Sequence, residues 1–165
     1  MNKVIVSDTG PLIALALVEL LPVLPKLFSS VYVPDRVVVQ ATKDNTKPGA
    51  LAILSALEKG LLIRKSVNLS AVYQDLTELL DPGEAEALAL ADQLNAIALV
   101  DERRGRKVAA KQGIAITGTA AVLIKAKNAG EIACVKPVLD NLTQIGYRLS
   151  PSLIRDILRL SGESG

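Results

Sequence analysis

The stretch "KVIVSDTGPLIAL" (residues 3–15) decides how this chain is organised. Val4-Ile5-Val6 is a β-branched apolar run of strand length. It stops at Ser7-Asp8-Thr9. Gly10-Pro11 then opens a second apolar run, with Pro11 suited to a first helical turn and Asp8 or Thr9 placed to cap it. The reading is a buried strand over 3–7, an acid, and a helix from Gly10 to about Leu20. Asp8, taken alone, reads equally well as a helix cap or as a reactive group shown at a strand's carboxyl end.

Working outward, the same alternation repeats. Pro22 and Pro25 break the stretch after the first helix. Val31-Tyr32-Val33 is a short strand that Pro34 stops. Residues 34–42 are ambiguous, because Val37-Val38-Val39 favours a strand while Pro34-Asp35 resembles a helix start. "DNTKPG" (44–49) is a loop. A helix over 50–59, closed by Gly60, precedes a strand at Leu61–Arg64. Helices follow over 70–80 and 81–94, the second with Asp81 as cap and Pro82 in its first turn. Ala96–Val100 is a strand ending at Asp101. A basic helix over 103–112, a strand at Ile114–Ile116 and a helix over Thr119–Asn128 come next, and helices near 137–145 and 151–160 close the chain. The pattern predicts one α/β domain over 1–165, with a core to about 130 and C-terminal helices at about 137–161. Its central sheet is mostly parallel and flanked by helices.

Composition agrees. Half of the 165 residues are hydrophobic, yet only three Tyr and one Phe are aromatic, so the core must be Leu, Ile, Val and Ala. Such residues suit a parallel sheet buried on both faces. A net charge of +2 is too small to argue for a nucleic-acid partner. The single cysteine, Cys134, excludes an intramolecular disulfide and points to a cytoplasmic setting. No histidine is present, which excludes imidazole acid–base chemistry and His-ligated zinc. A metal would have to be a hard cation on oxygen ligands. Residues 11–24 are apolar but too short to span a bilayer, and Glu19 and Pro22 interrupt them. Asp8 argues against an export signal. The Leu12–Leu27 and Leu153–Leu160 segments read either as core or as surfaces burying against a second copy.

Two strands end in acid, "VIVSD" at Asp8 and "AIALVDE" at Asp101-Glu102. In open α/β sheets, ligands bind beyond the carboxyl ends of the strands. If both strands are central, Asp8 and Asp101 share one edge, where a divalent cation would keep both ionised. A third acid is available on the helix after Asp81. Glu84 and Glu86 point to nearly opposite sides of it, and Glu84 lies nearer the apolar stripe of Ala87, Leu90, Ala91 and Leu94. Glu84 is therefore the better candidate. Both acids also fit the bland role of complementing the helix dipole. Arg103, Arg104, Arg106, Lys107 and Lys111 follow Asp101 directly. Cations beside an acidic metal site suit a phosphodiester substrate, although a basic run is more often a solvated helix face. Ser7, Thr9 and Thr117 place hydroxyls near the same edge, where they would orient a carboxylate or simply cap backbone.

In their order, "VSDTGPLI", "VPDRVVVQAT", "LDPGEAEALALA", "LVDERRGRKVAAKQG" and "TGTAAVLIKAKNAG" resemble the bacterial PIN-domain family. They look most like its short single-domain members with a D-E-x-x-x-R signature. The likeness covers nearly the whole chain. It implies a Rossmann-like, three-layer α/β fold and an Mg²⁺- or Mn²⁺-dependent ribonuclease, of the kind that often serves as the toxin of a toxin–antitoxin pair. An RNA substrate, an antitoxin partner and a homodimer are implied with it. Asp8, Glu84 (or Glu86) and Asp101 would then be the metal acids, with Thr9, Gln40, Glu102 and Thr117 in support. The family usually carries Glu where this chain has Gln40, so the site has one carboxylate fewer and should hold a divalent ion more weakly. A PIN-like module that only binds RNA or protein is the competing reading. A phosphatase with Asp8 as nucleophile would want a second Asp where Gly10 stands.

Overall fold

Strand β1 (Val4–Ser7) lies at the centre of the molecule, and its neighbours explain the rest of the architecture. A computed structural model describes residues 3–163 of the chain; the outer limits expected for the domain, 1–2 and 164–165, lie outside the described residues. After β1 come α1 (Thr9–Leu17), a single 3-10 turn at Leu21–Val23, and the short α2 (Leu24–Leu27). Strand β2 (Ser30–Pro34) leads into α3 (Asp35–Ala41) and α4 (Pro48–Glu58). Strand β3 (Ile63–Lys65) precedes α5 (Ala71–Leu79) and α6 (Pro82–Leu94). Strand β4 (Ile97–Leu99), α7 (Arg103–Lys111), β5 (Ile116–Thr117) and α8 (Thr119–Asn128) complete the alternation. Helices α9 (Lys136–Gln144) and α10 (Pro151–Leu160) follow.

The five strands are all parallel in the order β3-β2-β1-β4-β5, flanked by helices in a three-layer α/β arrangement. Parallel pairing needs both faces covered, and the central strands comply: Ile5, Val6, Ala98 and Leu99 are fully buried. Helix α6 packs along β1, β2 and β4, while α1 packs against α3 and α4. The strand order reverses between β1 and β4. That reversal opens a crevice at their carboxyl ends, because the connections leave in opposite directions. Ser7 pairs with Leu99, and the Asp8 amide donates to the Leu99 carbonyl at 3.1 Å. Asp8 and Asp101 thus emerge side by side on adjacent strands.

Several boundaries differ from the sequence reading. The ambiguous 34–42 segment is helical, with Pro34 ending β2 and capping α3. Val37 and Val38 are buried while Val39 and Gln40 are exposed, a helical rather than alternating pattern. Helix α1 stops at Leu17, not near Leu20. Glu19 takes a left-handed conformation (φ 61°), and the Leu20 amide donates back to Leu15 and that of Glu19 to Ala16. This is a Schellman termination with a glutamate where glycine is usual. Strand β3 begins later than expected because Leu61 and Leu62 still bond to the Ala56 carbonyl through the turn at Gly60 (φ 77°). The last strand runs over Ile116–Thr117, two residues beyond its expected start. The Leu12–Leu27 segment resolves mostly as core: Leu12, Leu15, Leu21, Leu24 and Leu27 are buried within this chain. No single helix among the described residues is long and apolar enough to cross a membrane.

Candidate functional site

Asp8 is fixed twice over. Its amide extends the pairing of β1 with β4, and its Oδ1 accepts the Thr9 N–H at 2.8 Å, capping α1. The cap and ligand readings are therefore not alternatives, since one oxygen is used and the other is not. The side chain opens onto a pocket of about 370 Å³ between the ends of β1 and β4. Five carboxylates line it (Asp8, Asp81, Glu84, Asp101 and Glu102), with Gln40, Thr9 and Tyr147, and no lysine or arginine lines it.

The electrostatics follow from that lining. Asp8 is 4% exposed, and burial pushes its pKa up to about 6 against the pull of the Thr9 N–H; Asp81, Glu102 and Asp101 add repulsion. Glu84 is pushed up to about 8, again chiefly by burial, with Asp81, Asp8 and Glu102 contributing. Its Oε2 is buried and has no hydrogen-bond partner among the described residues. A carboxylate oxygen in that position is costly unless protonated or matched by a cation.

Glycines stand at the closest approaches around the site. Helix α7 brings Gly105 so near that a methyl group there would stand 2.9 Å from Glu84 Oε2 and 3.0 Å from Val100. A methyl on Gly118 would stand 3.0 Å from Asp101 Oδ1, and one on Gly83 would collide with the Gln40 carboxamide. Asp101 is held by the first turn of α8, where the Thr119 N–H donates to Oδ1 (2.8 Å) and the Thr119 hydroxyl to Oδ2 (2.6 Å). The Tyr147 hydroxyl also donates to Oδ2. Burial and the Asp101 charge raise the Tyr147 pKa well above the usual phenol range, so it stays a donor.

The sequence candidates divide clearly. Asp8, Glu84, Asp101, Thr9, Gln40 and Glu102 line one pocket. Glu86 does not join them: its carboxylate accepts from the Arg36 N–H (2.9 Å) and the Tyr73 hydroxyl (3.1 Å) on another side of α6. Thr117 faces a separate cavity with Phe28 and Lys125. The chain turns at Gly118, so the hydroxyl reaching Asp101 is that of Thr119. Gln40 Oε1 accepts from the Thr9 hydroxyl at 2.8 Å. Arg103, Arg104 and Lys107 are exposed along α7 outside the pocket, whereas Arg106 folds back to donate to the Val100 carbonyl at 2.9 Å. Sequence reading took Asp81 only as a cap and passed over Thr119 and Tyr147. Asp81 does cap α6, through the Glu84 N–H at 2.9 Å. Its position three residues before Glu84 was the available signal. Tyr147 carried none, as it reaches Asp101 across 46 positions of sequence.

Here an all-parallel α/β sheet gathers carboxylates where its strand order reverses, an arrangement that nuclease-type folds share with other doubly wound folds. The model of a family described as a PIN domain matches residues 4–163, and this chain belongs to that family. The match takes in α9 and α10 as well as the sheet. No curated protein matches the chain.

Proposed function

We propose that this protein is a metal-dependent ribonuclease of the PIN type, hydrolysing RNA phosphodiester bonds at the pocket beyond β1 and β4. One observation carries the reading: among the described residues, Glu84 Oε2 is buried without a partner in a pocket lined by five carboxylates and no lysine or arginine. The donor set fits Mg²⁺ or Mn²⁺, being all oxygen and strongly anionic. As they stand, no three of these acids among the described residues converge enough to hold an ion.

Asp8, Glu84 and Asp101 are the residues that would hold the ion. Bound there, it supplies Lewis acidity at the scissile phosphate and lowers the pKa of a water. Thr119 and Tyr147 orient Asp101. Thr9 and Gln40 line the pocket beside Gly83 with neutral donors and acceptors.

A second reading, a non-catalytic module binding RNA or protein, is favoured by one specific feature. Gln40 stands where an acid is usual, and its carbonyl is already taken by Thr9. Incubating a mixed single-stranded RNA pool with wild type and Asp8→Asn, in Mn²⁺ or in EDTA, separates the two. Cleavage that needs both the metal and Asp8 supports the nuclease. Folded wild type that leaves RNA intact in Mn²⁺ supports the module.

A further inference from the structure

Tyr147 is a partition. On one side its hydroxyl meets Asp101 in the acidic pocket; on the other its residue lines a second cavity of about 370 Å³, which also includes Asp101, Arg106, Arg148, Leu149 and Leu153. The two cavities share Asp101 and Tyr147 and carry opposite charge. The first offers five carboxylates; the second offers two guanidinium groups, neither in an ion pair among the described residues. Arg106 spends one nitrogen on the Val100 carbonyl and keeps the remaining N–H groups of its fork. Arg148 is exposed. Leu149, in the connection between α9 and α10, and Leu153, in the first turn of α10, supply an apolar wall, and Leu153 keeps 38% of its surface exposed.

A cation-bearing, partly apolar cavity one side chain away from a phosphodiester-cleaving centre matches a nucleotide: phosphate on guanidinium, base against ring and leucine. We infer that this second cavity binds the nucleotide next to the scissile phosphate, with Arg106 and Arg148 on its phosphate and Tyr147, Leu149 and Leu153 against its base. The inference rests on the nuclease reading for the word scissile only; strand binding itself needs no metal. It also changes which basic residues matter. Of the run after Asp101 only Arg106 reaches the cavity, and Arg148 joins it from the far end of the chain.

The test is equilibrium binding of a short fluorescein-labelled oligouridylate in EDTA, read by anisotropy across a salt series. Arg148→Gln removes an exposed charge, and Lys111→Gln removes one at the other end of α7 as control. The expected result is an affinity weaker by about 10-fold or more for Arg148→Gln, roughly the loss of one hydrogen bond to a charged group. The slope of log affinity against log salt should fall by about 0.7, the value of one phosphate contact on a single strand. Tyr147→Ala should weaken binding by about 5-fold or more, and Tyr147→Phe should restore it, because stacking needs the ring and not the hydroxyl. Arg148→Gln with the affinity and salt slope of Lys111→Gln overturns the proposal. So does wild type that does not bind. Cleavage by wild type with an Arg148→Gln KM unchanged would leave the nuclease standing and remove the subsite. Arg148-dependent binding without cleavage in Mn²⁺ would do the reverse.

Discussion

Replacing Asp8 by Asn should make the protein more stable while removing its function. Asp8 carries a pKa of about 6 against 3.8 for an ordinary aspartate, mainly through burial. The folded state therefore binds this proton more tightly than the unfolded chain does. Stability contributed by protonated Asp8 is full below pH 3.8 and is lost as pH rises to about 6. The shift corresponds to about 3 kcal/mol against folding at pH 7. Asn keeps the cap on the Thr9 N–H but gives up a charge at the start of α1, a loss of about 0.5 kcal/mol. A net gain of about 2 kcal/mol remains, or about 5 °C in Tm for a chain of this size. The assay is urea unfolding of both proteins in EDTA at pH 4 and pH 7. The two should be close at pH 4 and separate at pH 7, with Asp8→Asn the more stable. Adding Mn²⁺ should stabilise wild type alone, since a ligand bound only by the folded state adds stability in proportion to the logarithm of its concentration. Equal stabilities at pH 7 in EDTA would refute the claim that this charge is held at a cost.

Other consequences follow from the same contacts. Gly105→Ala pushes a methyl group toward Glu84 Oε2 and Val100; RNA cleavage in Mn²⁺ should fall by about 100-fold, with destabilisation of about 1–3 kcal/mol by urea titration. Glu19→Gly relieves a left-handed glutamate at the end of α1 and should stabilise the fold by about 1 kcal/mol in the same titration. Glu163 accepts from the Val135 and Lys136 amides and from Lys127, and these hold its pKa down at about 2. Its contribution is present above about pH 4.5 and lost toward pH 2. Glu163→Gln should therefore speed amide exchange in α9 at neutral pH and leave it unchanged at the acid end.

Strand-then-acid patterns at Asp8 and Asp101 were readable because each is local: an apolar run sets the strand, and the next residue must lie at its carboxyl end. The choice of Glu84 over Glu86 follows from helical phase; Glu84 lines the acidic pocket, while Glu86 accepts from the Arg36 N–H and the Tyr73 hydroxyl. Residues whose role depends on another part of the chain were not readable. Thr117 and Thr119 cannot be ranked without knowing where β5 ends, and a shift of that boundary moved the hydroxyl from strand to helix. The end of α1 is hidden because a glutamate in a left-handed turn leaves no compositional mark. Asp81 looks complete as a cap, and only the packing of α6 on β1 shows that it also faces the acids. Tyr147 reaches the site by way of the chain reversal between α9 and α10, which no short motif announces. Gly83, Gly105 and Gly118 carry no signal in the sequence until the side chains near them are in place.

The most direct measurement is a calorimetric titration of Mn²⁺ into wild type, Asp8→Asn and Glu84→Gln at pH 7. Saturable binding to wild type that disappears in both variants is the expected result. Absence of binding to wild type at millimolar Mn²⁺, or binding that survives both substitutions, would contradict a cation site built from these carboxylates.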